Sequence, residues 1–397
     1  MNRISSAPYT QAQQSSIKQG EEQIELVTKT GLPGWNLLAP SLQLFIENAI
    51  VRPKDSVILF GCHMGVVAVH LSRIFPQAEL YITDHNSISL EMAQLTCIAN
   101  HINSINFLYE VELPQVLHQS INTVFIQNPK GRQLCRRWLM QAYHALVTNG
   151  SLYLAGANDS GIQSVIKDAQ ELFGNGRVLA YKKGNRLAQF IKTSGAIDLP
   201  EWAQTSGIAA GTWVEFPITS SPHTIYIHSL PGVFSFGRLD EGTEMLLGSI
   251  KNPRGLSVLD VGCGYGVIGL VAVKEGAETV HLVDNDLLAI ASCRETLSLN
   301  GITDAQVFCG DLLDPVNSYM YDMILSNPPF HAGHAVDYKS AIAMVEQSYQ
   351  ALNNGGELCI VTNRFIRYDR LIHSTFGNVS ILAESGKFHV LSGLKSR

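Results

Sequence analysis

The chain has 397 residues and a formal net charge of −6, with 46% hydrophobic and 16% charged residues. This composition excludes a largely disordered chain, and the length suggests about two or three domains. The sequence contains no apolar run long enough for a transmembrane helix and no signal peptide, so we expect a cytoplasmic protein.

Charge is distributed unevenly between the two halves of the chain. Residues 1–200 carry 16 Lys and Arg against 14 Asp and Glu, whereas residues 201–397 carry 12 against 20. The first half is therefore slightly basic and the second half acidic, which predicts different roles for them.

The predicted elements alternate between strand and helix on both sides of a junction near residues 193–212. Residues 1–30 are polar and rich in Gln and Ser, and we predict a flexible tail there. Apolar runs predict first-half strands at 57–60, 78–84, 123–126 and 151–154, with helices near 87–101 and 132–147. Second-half strands are predicted at 258–261, 280–284, 305–309, 323–326 and 357–361, with helices near 286–300 and 338–352. This order predicts parallel sheets covered by helices on both faces, and a last strand near 387–389.

The two halves superimpose at an offset of about 200 residues, which indicates a duplicated domain. The matched landmarks, first half on second, are Gly61-Cys62 on Gly262-Cys263, Gly65 on Gly266, Asp84 on Asp284 and Asn128-Pro129 on Asn327-Pro328. We therefore predict α/β architecture with two tandem Rossmann-like domains, at 31–195 and 210–397.

A glycine turn follows the first strand of the second copy, in the segment 260–266, DVGCGYG. Glycines at a strand-to-helix turn let a ligand approach the backbone, and Asp284 at the end of the next strand can bind ribose hydroxyls. Residues 264–269 also fit the GxGxxG pattern of dinucleotide-binding proteins. Asp260 favours a ligand with an ammonium group, such as S-adenosylmethionine, because a carboxylate repels pyrophosphate.

The segment 326–331, SNPPFH, follows a predicted strand directly. The Asn327 side-chain oxygen and the Pro328 carbonyl can accept both hydrogens of an exocyclic amine and leave its lone pair free to attack a methyl group. Phe330 can stack on a flat base. These residues, together with the glycine turn, predict methyl transfer to a planar nitrogen.

These motifs resemble the class I methyltransferases, which share the DxGxGxG turn and, where they act on planar nitrogens, the [DNS]PP[FYW] tetrapeptide. The segments 230–235, LPGVFS, and 239–243, LDEGT, are further similar to the bacterial ribosomal RNA guanine-N2 methyltransferases. That family has a degenerate N-terminal copy and an active C-terminal copy of one domain.

The resemblance implies a role for each matching residue. Asp260, Gly262, Gly264 and Gly266 would hold the methionine end of the cofactor, Asp284 its ribose, and Asp311 would lie near its adenine. Asp240, Gly242 and Thr243 would close over the cofactor. Asn327, Pro328 and Phe330 would orient the guanine amine as the catalytic residues.

The first copy departs from this pattern. Phe60 takes the place of Asp260, and Lys130 follows Pro129 where the second copy has Pro329. His63-Met64 replaces Gly264-Tyr265 and is expected to fill space that the cofactor needs. We predict that this copy binds no cofactor and catalyses no reaction.

Basic residues of the first copy form two clusters, which predict contacts with RNA phosphates or, equally, a solvated helix face. The clusters are Lys130, Arg132, Arg136 and Arg137, and Lys182, Lys183 and Arg186. His331 and His334 are spaced like a metal pair, but without Cys or Glu partners a polar loop is favoured and no metal is expected. The seven cysteines include no CxxC pair.

The sequence therefore predicts a monomeric S-adenosylmethionine-dependent methyltransferase that acts on the N2 amine of a guanine in ribosomal RNA. One alternative keeps this chemistry on another RNA or DNA amine or on a protein glutamine. A second is an RNA-binding ribosome assembly factor without catalysis, and a nicotinamide oxidoreductase is the third.

Overall fold

The computed structural model describes residues 9, 11–19, 22–32, 39–61, 63–195, 198–220, 223–328 and 338–396. The chain divides into two compact units: an N-terminal unit of residues 12–213, and a C-terminal unit that combines residues 214–397 with residues 1–11. Within the described residues, none of the helices has both the length and the apolar character needed to cross a membrane.

The N-terminal unit consists of a hairpin and a seven-stranded sheet with helices. The strands are β1 (Gln13–Gln19), β2 (Glu22–Thr28), β3 (Ser56–Phe60), β4 (Glu79–Thr83), β5 (Ile105–Leu108), β6 (Ile121–Gln127), β7 (Leu146–Ala157), β8 (Arg177–Lys182) and β9 (Asn185–Ile191). The helices are α1 (Pro40–Asn48), α2 (Val66–Ile74), α3 (Ser87–Ala99), α4 (Arg132–Ala145) and α5 (Ile162–Phe173).

The C-terminal unit repeats the same order of elements. Its strands are β10 (Val214–Ser220), β11 (His223–Ser229), β12 (Ser257–Val261), β13 (Thr279–Asp284), β14 (Gln306–Cys309), β15 (Tyr321–Ser326), β16 (Leu352–Asn363), β17 (Ser380–Glu384) and β18 (Phe388–Leu394). Its helices are α6 (Glu241–Leu247), α7 (Val267–Lys274), α8 (Leu287–Leu299), α9 (Tyr338–Ala351) and α10 (Tyr368–Phe376).

Both large sheets have the same topology, which confirms the predicted duplication. The strand orders are β5-β4-β3-β6-β7-β9-β8 and β14-β13-β12-β15-β16-β18-β17, with five parallel strands and an antiparallel pair at one edge of each. The strands at the centre of each sheet are buried on both faces, which explains why they read as continuous apolar runs such as 57–60, VILF. In the second sheet the strand order reverses at β12, between β13 and β15, so the carboxyl ends of these strands form the crevice where ligands of such sheets bind.

The predicted flexible tail over residues 1–30 is wrong for most of its described length. β1 pairs with β2 in an antiparallel hairpin, and Ile24, Leu26 and Val27 are buried against the core. Thr96 of α3 fixes this hairpin, because its hydroxyl accepts a hydrogen bond from the Val27 N–H at 2.9 Å. The N-terminal unit also continues past the predicted boundary at residue 195, since Trp202 is buried and donates to Glu171.

The sheet registers correct two of the matches between the copies. Asp260 pairs with Leu282 just as Leu59 pairs with Ile82, so Leu59, rather than Phe60, takes the place of Asp260. Ser326 pairs with Val261 and Ile360 just as Ile126 pairs with Phe60 and Leu154. The following residue, Gln127, is therefore the counterpart of Asn327, and Asn128 is not.

Candidate active site

The glycine turn after β12 is held by the acidic residue at the end of β13. Oδ2 of Asp284 accepts a hydrogen bond from the Gly264 N–H at 2.9 Å, and Oδ1 accepts from the Asp286 N–H at 2.9 Å. Burial raises the pKa of Asp284 to about 6; the charge of Asp286 adds to this rise and the backbone N–H groups oppose it. Asp286 in turn caps α8 through the N–H groups of Leu288 and Ala289.

Asp260 lies beneath the same turn and is completely buried. Its Oδ2 accepts from the Gly269 N–H in α7 at 3.0 Å, whereas its Oδ1 is buried and has no hydrogen-bond partner among the described residues. Burial raises the pKa of Asp260 to about 7; the Gly269 N–H opposes this rise and the charge of Asp284 adds to it. A cation bound above the turn would favour the ionised form of this carboxylate.

The glycines of the turn divide into two kinds. A Cβ placed on Gly262 or Gly264 would have no atom within 4 Å, so open space lies in front of both residues. A Cβ on Gly266 would lie 2.6 Å from Sγ of Cys293 in α8, so this glycine permits close packing of the turn on that helix. The open space and the orphaned Asp260 oxygen fit a cofactor with a cationic end, such as S-adenosylmethionine. The predicted contact between cofactor and Gly266 has no comparable support in the geometry.

Asn327 follows β15, and its side-chain amide is held from one side. Its Nδ2 donates to Oγ1 of Thr243 at 2.8 Å and to Oδ2 of Asp240 at 3.1 Å. Because a carboxylate only accepts hydrogen bonds, the amide nitrogen must face Asp240 and the amide oxygen must face away from it. No described residue donates to this oxygen, so Asn327 can accept a hydrogen bond from a substrate.

Asp311 and Pro328 are further predicted site residues of the C-terminal unit that the structure describes. Asp311 is buried, and its Oδ1 accepts from the Tyr9 hydroxyl at 3.0 Å. Pro328 is buried at the end of β15, whereas Pro329, Phe330, His331 and His334 lie outside the described residues. Tyr9 was missed by the sequence analysis, because a single tyrosine in a polar tail carries no pattern that marks it.

The N-terminal unit differs at the equivalent crevice. A Cβ on Gly61 would lie 3.0 Å from Cβ of Gln127, so the space that is open at Gly262 is filled here. The Trp138 ring lies 5.6 Å from Phe60 and 6.2 Å from His85, at the carboxyl ends of β3 and β4. Met64 points into the hairpin core and does not fill the crevice, contrary to the prediction from its replacement of Tyr265.

Three predicted RNA-binding arginines are held by acidic partners inside the N-terminal unit. Asp168, which is completely buried, accepts from Arg132 at 2.6 and 2.7 Å and from Arg136 at 2.8 Å. Although burial opposes the effect, these two guanidinium groups hold the pKa of Asp168 below its usual value. Arg137 is 2% exposed and donates to Glu112 and to the Gly207 carbonyl.

The remaining basic residues are more accessible. Lys130 and Lys183 are exposed and form no ion pair within the described part of the chain. Lys182 pairs with Glu47, and Arg186 donates to Asn158 and stacks on Tyr181. Among the described residues of the two predicted clusters, Lys130 and Lys183 are therefore the exposed cations without an ion pair, and Arg186 is a partly buried one.

The methyltransferase small domain family model matches the chain twice, over residues 23–189 and 224–392. The ribosomal RNA small subunit methyltransferase C of Shewanella loihica is 31% identical over 366 residues, which cover 91% of this chain and 100% of the relative. The protein of that name from Pseudomonas entomophila is 37% identical over 263 residues, which cover 66% of this chain and 76% of the relative.

Among solved structures, the chain is similar to the T. thermophilus 16S rRNA N2 G1207 methyltransferase in complex with AdoMet and guanosine. The two share 26% sequence identity with a TM-score of 0.79, and the match covers 97% of this chain and 98% of the other. The chain therefore belongs to the methyltransferase small domain family and, within it, to the ribosomal RNA guanine-N2 methyltransferases.

Proposed function

We propose that the C-terminal unit transfers a methyl group from S-adenosylmethionine to the N2 amine of a guanine in small-subunit ribosomal RNA. The observation that carries this proposal is the fixed orientation of Asn327, whose amide nitrogen is engaged by Thr243 and Asp240. A free, oriented acceptor at the carboxyl edge of the sheet suits an exocyclic amine, which has two hydrogens to donate.

The residues of this unit would divide the work between cofactor and substrate. Gly262 and Gly264 leave room for the cofactor, Asp284 offers carboxylate oxygens to its ribose, and Asp260 stabilises its cationic end from below. When bound, the cofactor supplies an electrophilic methyl group on a sulfonium. Asp311 would accept from the adenine amine.

Asn327 and Pro328 would hold the guanine amine for an in-line attack. The Asn327 oxygen and the Pro328 carbonyl accept the two amine hydrogens, so the nitrogen lone pair is turned towards the methyl carbon. The N–C bond forms as the S–C bond breaks, and the methylated nitrogen then loses a proton to water. Phe330 would stack on the guanine. No side chain has to act as a general base in this scheme.

The N-terminal unit would contribute binding and no chemistry. Leu59 replaces the carboxylate of Asp260, and Gln127 fills the space beside Gly61. We propose that the exposed cations Lys130 and Lys183 contact RNA phosphates. The proposed substrate belongs to the bacterial cytoplasm, and we propose that the enzyme acts there as a monomer.

Mass spectrometry of digested ribosomal RNA tests this function. In a strain that lacks the gene, we expect the loss of one N2-methylguanosine, which the wild-type gene restores and Asn327→Ala does not. Gln127→Ala is a matched control, because it changes the equivalent residue of the N-terminal unit, and it should restore the modification. An unchanged modification profile in the deletion strain would refute the proposed substrate.

A further inference from the structure

The contact between Asn327 and α6 has two parts with different chemistry. Thr243 offers a hydroxyl oxygen to Nδ2 of Asn327 at 2.8 Å, and Asp240 offers a carboxylate oxygen at 3.1 Å. A hydroxyl can donate or accept and so tolerates either orientation of the amide, whereas a carboxylate tolerates only the nitrogen. Asp240 is therefore the group that determines which way the amide of Asn327 faces.

The carboxylate of Asp240 is itself held in place. Its Oδ2 accepts from the Thr243 N–H at 3.0 Å and so caps α6 at the residue before the helix begins. A Cβ on Gly242 would lie 2.9 Å from the same oxygen of Asp240 and 3.3 Å from the Phe388 ring. The glycine therefore allows α6 to pack closely against both the Asp240 carboxylate and β18. One oxygen thus fixes both the helix terminus and the amide.

The N-terminal unit provides an internal comparison, because the hydroxyl contact is present there and the carboxylate is not. Nε2 of Gln127, the counterpart of Asn327, donates to Oγ of Ser41 in α1 at 2.7 Å. The residue at the N-cap of α1 is Ala39, which forms no side-chain cap. Each copy therefore holds this amide through a hydroxyl in the first turn of the helix, one position earlier in α1 than in α6, and the carboxylate is found only in the copy with an open crevice.

From this geometry we propose that Asp240 and Thr243 are positioning residues, which keep the Asn327 amide oxygen facing the substrate amine. The proposal rests on the proposed function of Asn327. It adds a second role to the segment 239–243, which is also predicted to close over the cofactor, since Oδ2 of Asp240 and Oγ1 of Thr243 contact Asn327. The fixed orientation also explains selectivity for an amine, because a carbonyl oxygen of the substrate would face the Asn327 side-chain oxygen, and neither oxygen can donate a hydrogen bond.

Two substitutions of Asp240 separate positioning from cofactor binding. Asp240→Ser keeps a capping oxygen for α6, but its side chain is too short to reach Asn327. Asp240→Asn keeps an acceptor both for the Thr243 N–H and for the Asn327 amide. With saturating cofactor, we expect kcat to fall about tenfold in Asp240→Ser and by less than about threefold in Asp240→Asn, with the cofactor Kd unchanged in both. Ser41→Ala, which removes the equivalent contact of the N-terminal unit, should leave kcat unchanged.

A charge exchange provides a test by rescue. Asn327→Asp places two carboxylates about 3 Å apart and should strongly reduce activity, to a level that is still measurable. Adding Asp240→Asn restores a donor opposite an acceptor after a small side-chain rotation, and we expect it to recover activity at least about tenfold over Asn327→Asp alone. If Asp240 served the cofactor instead, the second substitution would only lower activity further.

Nuclear magnetic resonance of the side-chain amides tests the contact without any assay of methylation. In protein labelled with 15N-asparagine, the Asn327 amide signal, identified by its loss in Asn327→Ala, should exchange slowly with water and should exchange faster in Asp240→Ser. Equal exchange in both proteins, or weaker cofactor binding with unchanged kcat in both Asp240 variants, would overturn the proposal. Failure of the proposed function would instead appear as wild-type protein that methylates no RNA while the amide remains protected.

Discussion

The Gly264 N–H points at Oδ2 of Asp284, 2.9 Å away, so the end of β13 holds the turn that follows β12. One carboxylate thus stabilises the turn and, in the proposed function, binds the ribose. In Asp284→Ala the partly buried Gly264 and Asp286 N–H groups lose their acceptors. We expect the free energy of unfolding to fall by about 1–3 kcal/mol and the cofactor Kd to rise at least about tenfold.

Thermal unfolding and calorimetry with S-adenosylmethionine measure these two effects. Asp84→Ala is the matched control, because Asp84 accepts from the Asn86 N–H in the N-terminal unit just as Asp284 accepts from Asp286. It should lower stability and leave the cofactor Kd unchanged. Wild-type affinity in Asp284→Ala would show that this carboxylate has no role in the cofactor site.

The two kinds of glycine in the turn should respond differently to alanine. Gly262 and Gly266 have φ of 72° and 84°, so an alanine costs about 1–2 kcal/mol of backbone strain at either position. Only at Gly266 does the added methyl also meet Cys293. We expect Gly266→Ala to be clearly less stable than Gly262→Ala, and Gly262→Ala to show the greater loss of cofactor affinity. Denaturant unfolding measures the stability of both variants, and calorimetry measures their cofactor affinity. Lower stability in Gly262→Ala, or the greater loss of affinity in Gly266→Ala, would contradict the division of the two glycines.

The sequence predicted the central strands well, because they are apolar on both faces and need no partner to be recognised. The segment 258–261 lies within β12, and 323–326 lies within β15. The hairpin of β1 and β2 was missed because most of its residues are polar. Its few apolar side chains, such as Ile24 and Leu26, are buried only through packing on α2 and α3.

The residue-by-residue equivalence of the two copies could not be predicted from the sequence, for a different reason. The shared Asn-Pro pair placed Asn128 on Asn327, yet the strand pairing and the contact with a hydroxyl place Gln127 there. Identity of residues was misleading because side chains alternate between the faces of a strand, so a shift of one residue changes the face. Likewise, the clustering of basic residues in the sequence does not reveal that Arg132 and Arg136 both bind the buried Asp168.

Asp260 should make the stability of the cofactor-free protein depend on pH. Its folded pKa of about 7 lies above the ordinary 3.8, so the folded state keeps a proton that the unfolded chain releases. This contribution to stability is fully present below about pH 4 and is lost as the pH rises through about 7, with a slope of at most about 1.4 kcal/mol per unit. Asp284, with a pKa raised to about 6, acts in the same direction.

Asp260→Asn removes the titrating group and retains an oxygen for the Gly269 N–H. We expect this variant to gain stability relative to the wild type between pH 5 and about pH 8, as measured by urea unfolding at each pH. Binding of S-adenosylmethionine should strengthen over the same range in the wild type, because the cationic cofactor favours the ionised carboxylate, and less so in the variant. A stability difference that does not change with pH would contradict the raised pKa.

The basic residues of the N-terminal unit should separate into cations that bind RNA and cations that stabilise the fold. Lys130 and Lys183 are exposed, whereas Arg137 is buried against Glu112 and the Gly207 carbonyl. We expect Lys130→Glu with Lys183→Glu to leave thermal stability unchanged and to weaken RNA binding. If each lysine contacts one phosphate, the slope of log K against log salt should fall by about 0.7–0.9 per lysine.

Arg137→Ala should behave in the opposite way. It leaves the buried Gly207 carbonyl without its donor, whereas the partly exposed Glu112 can be solvated, and we expect a loss of about 1–3 kcal/mol in the free energy of unfolding. Electrophoretic mobility shifts with a ribosomal RNA fragment at several salt concentrations, together with thermal unfolding, measure both effects. Unchanged affinity and salt slope in the double lysine variant would exclude this surface from RNA binding and leave recognition to the C-terminal unit.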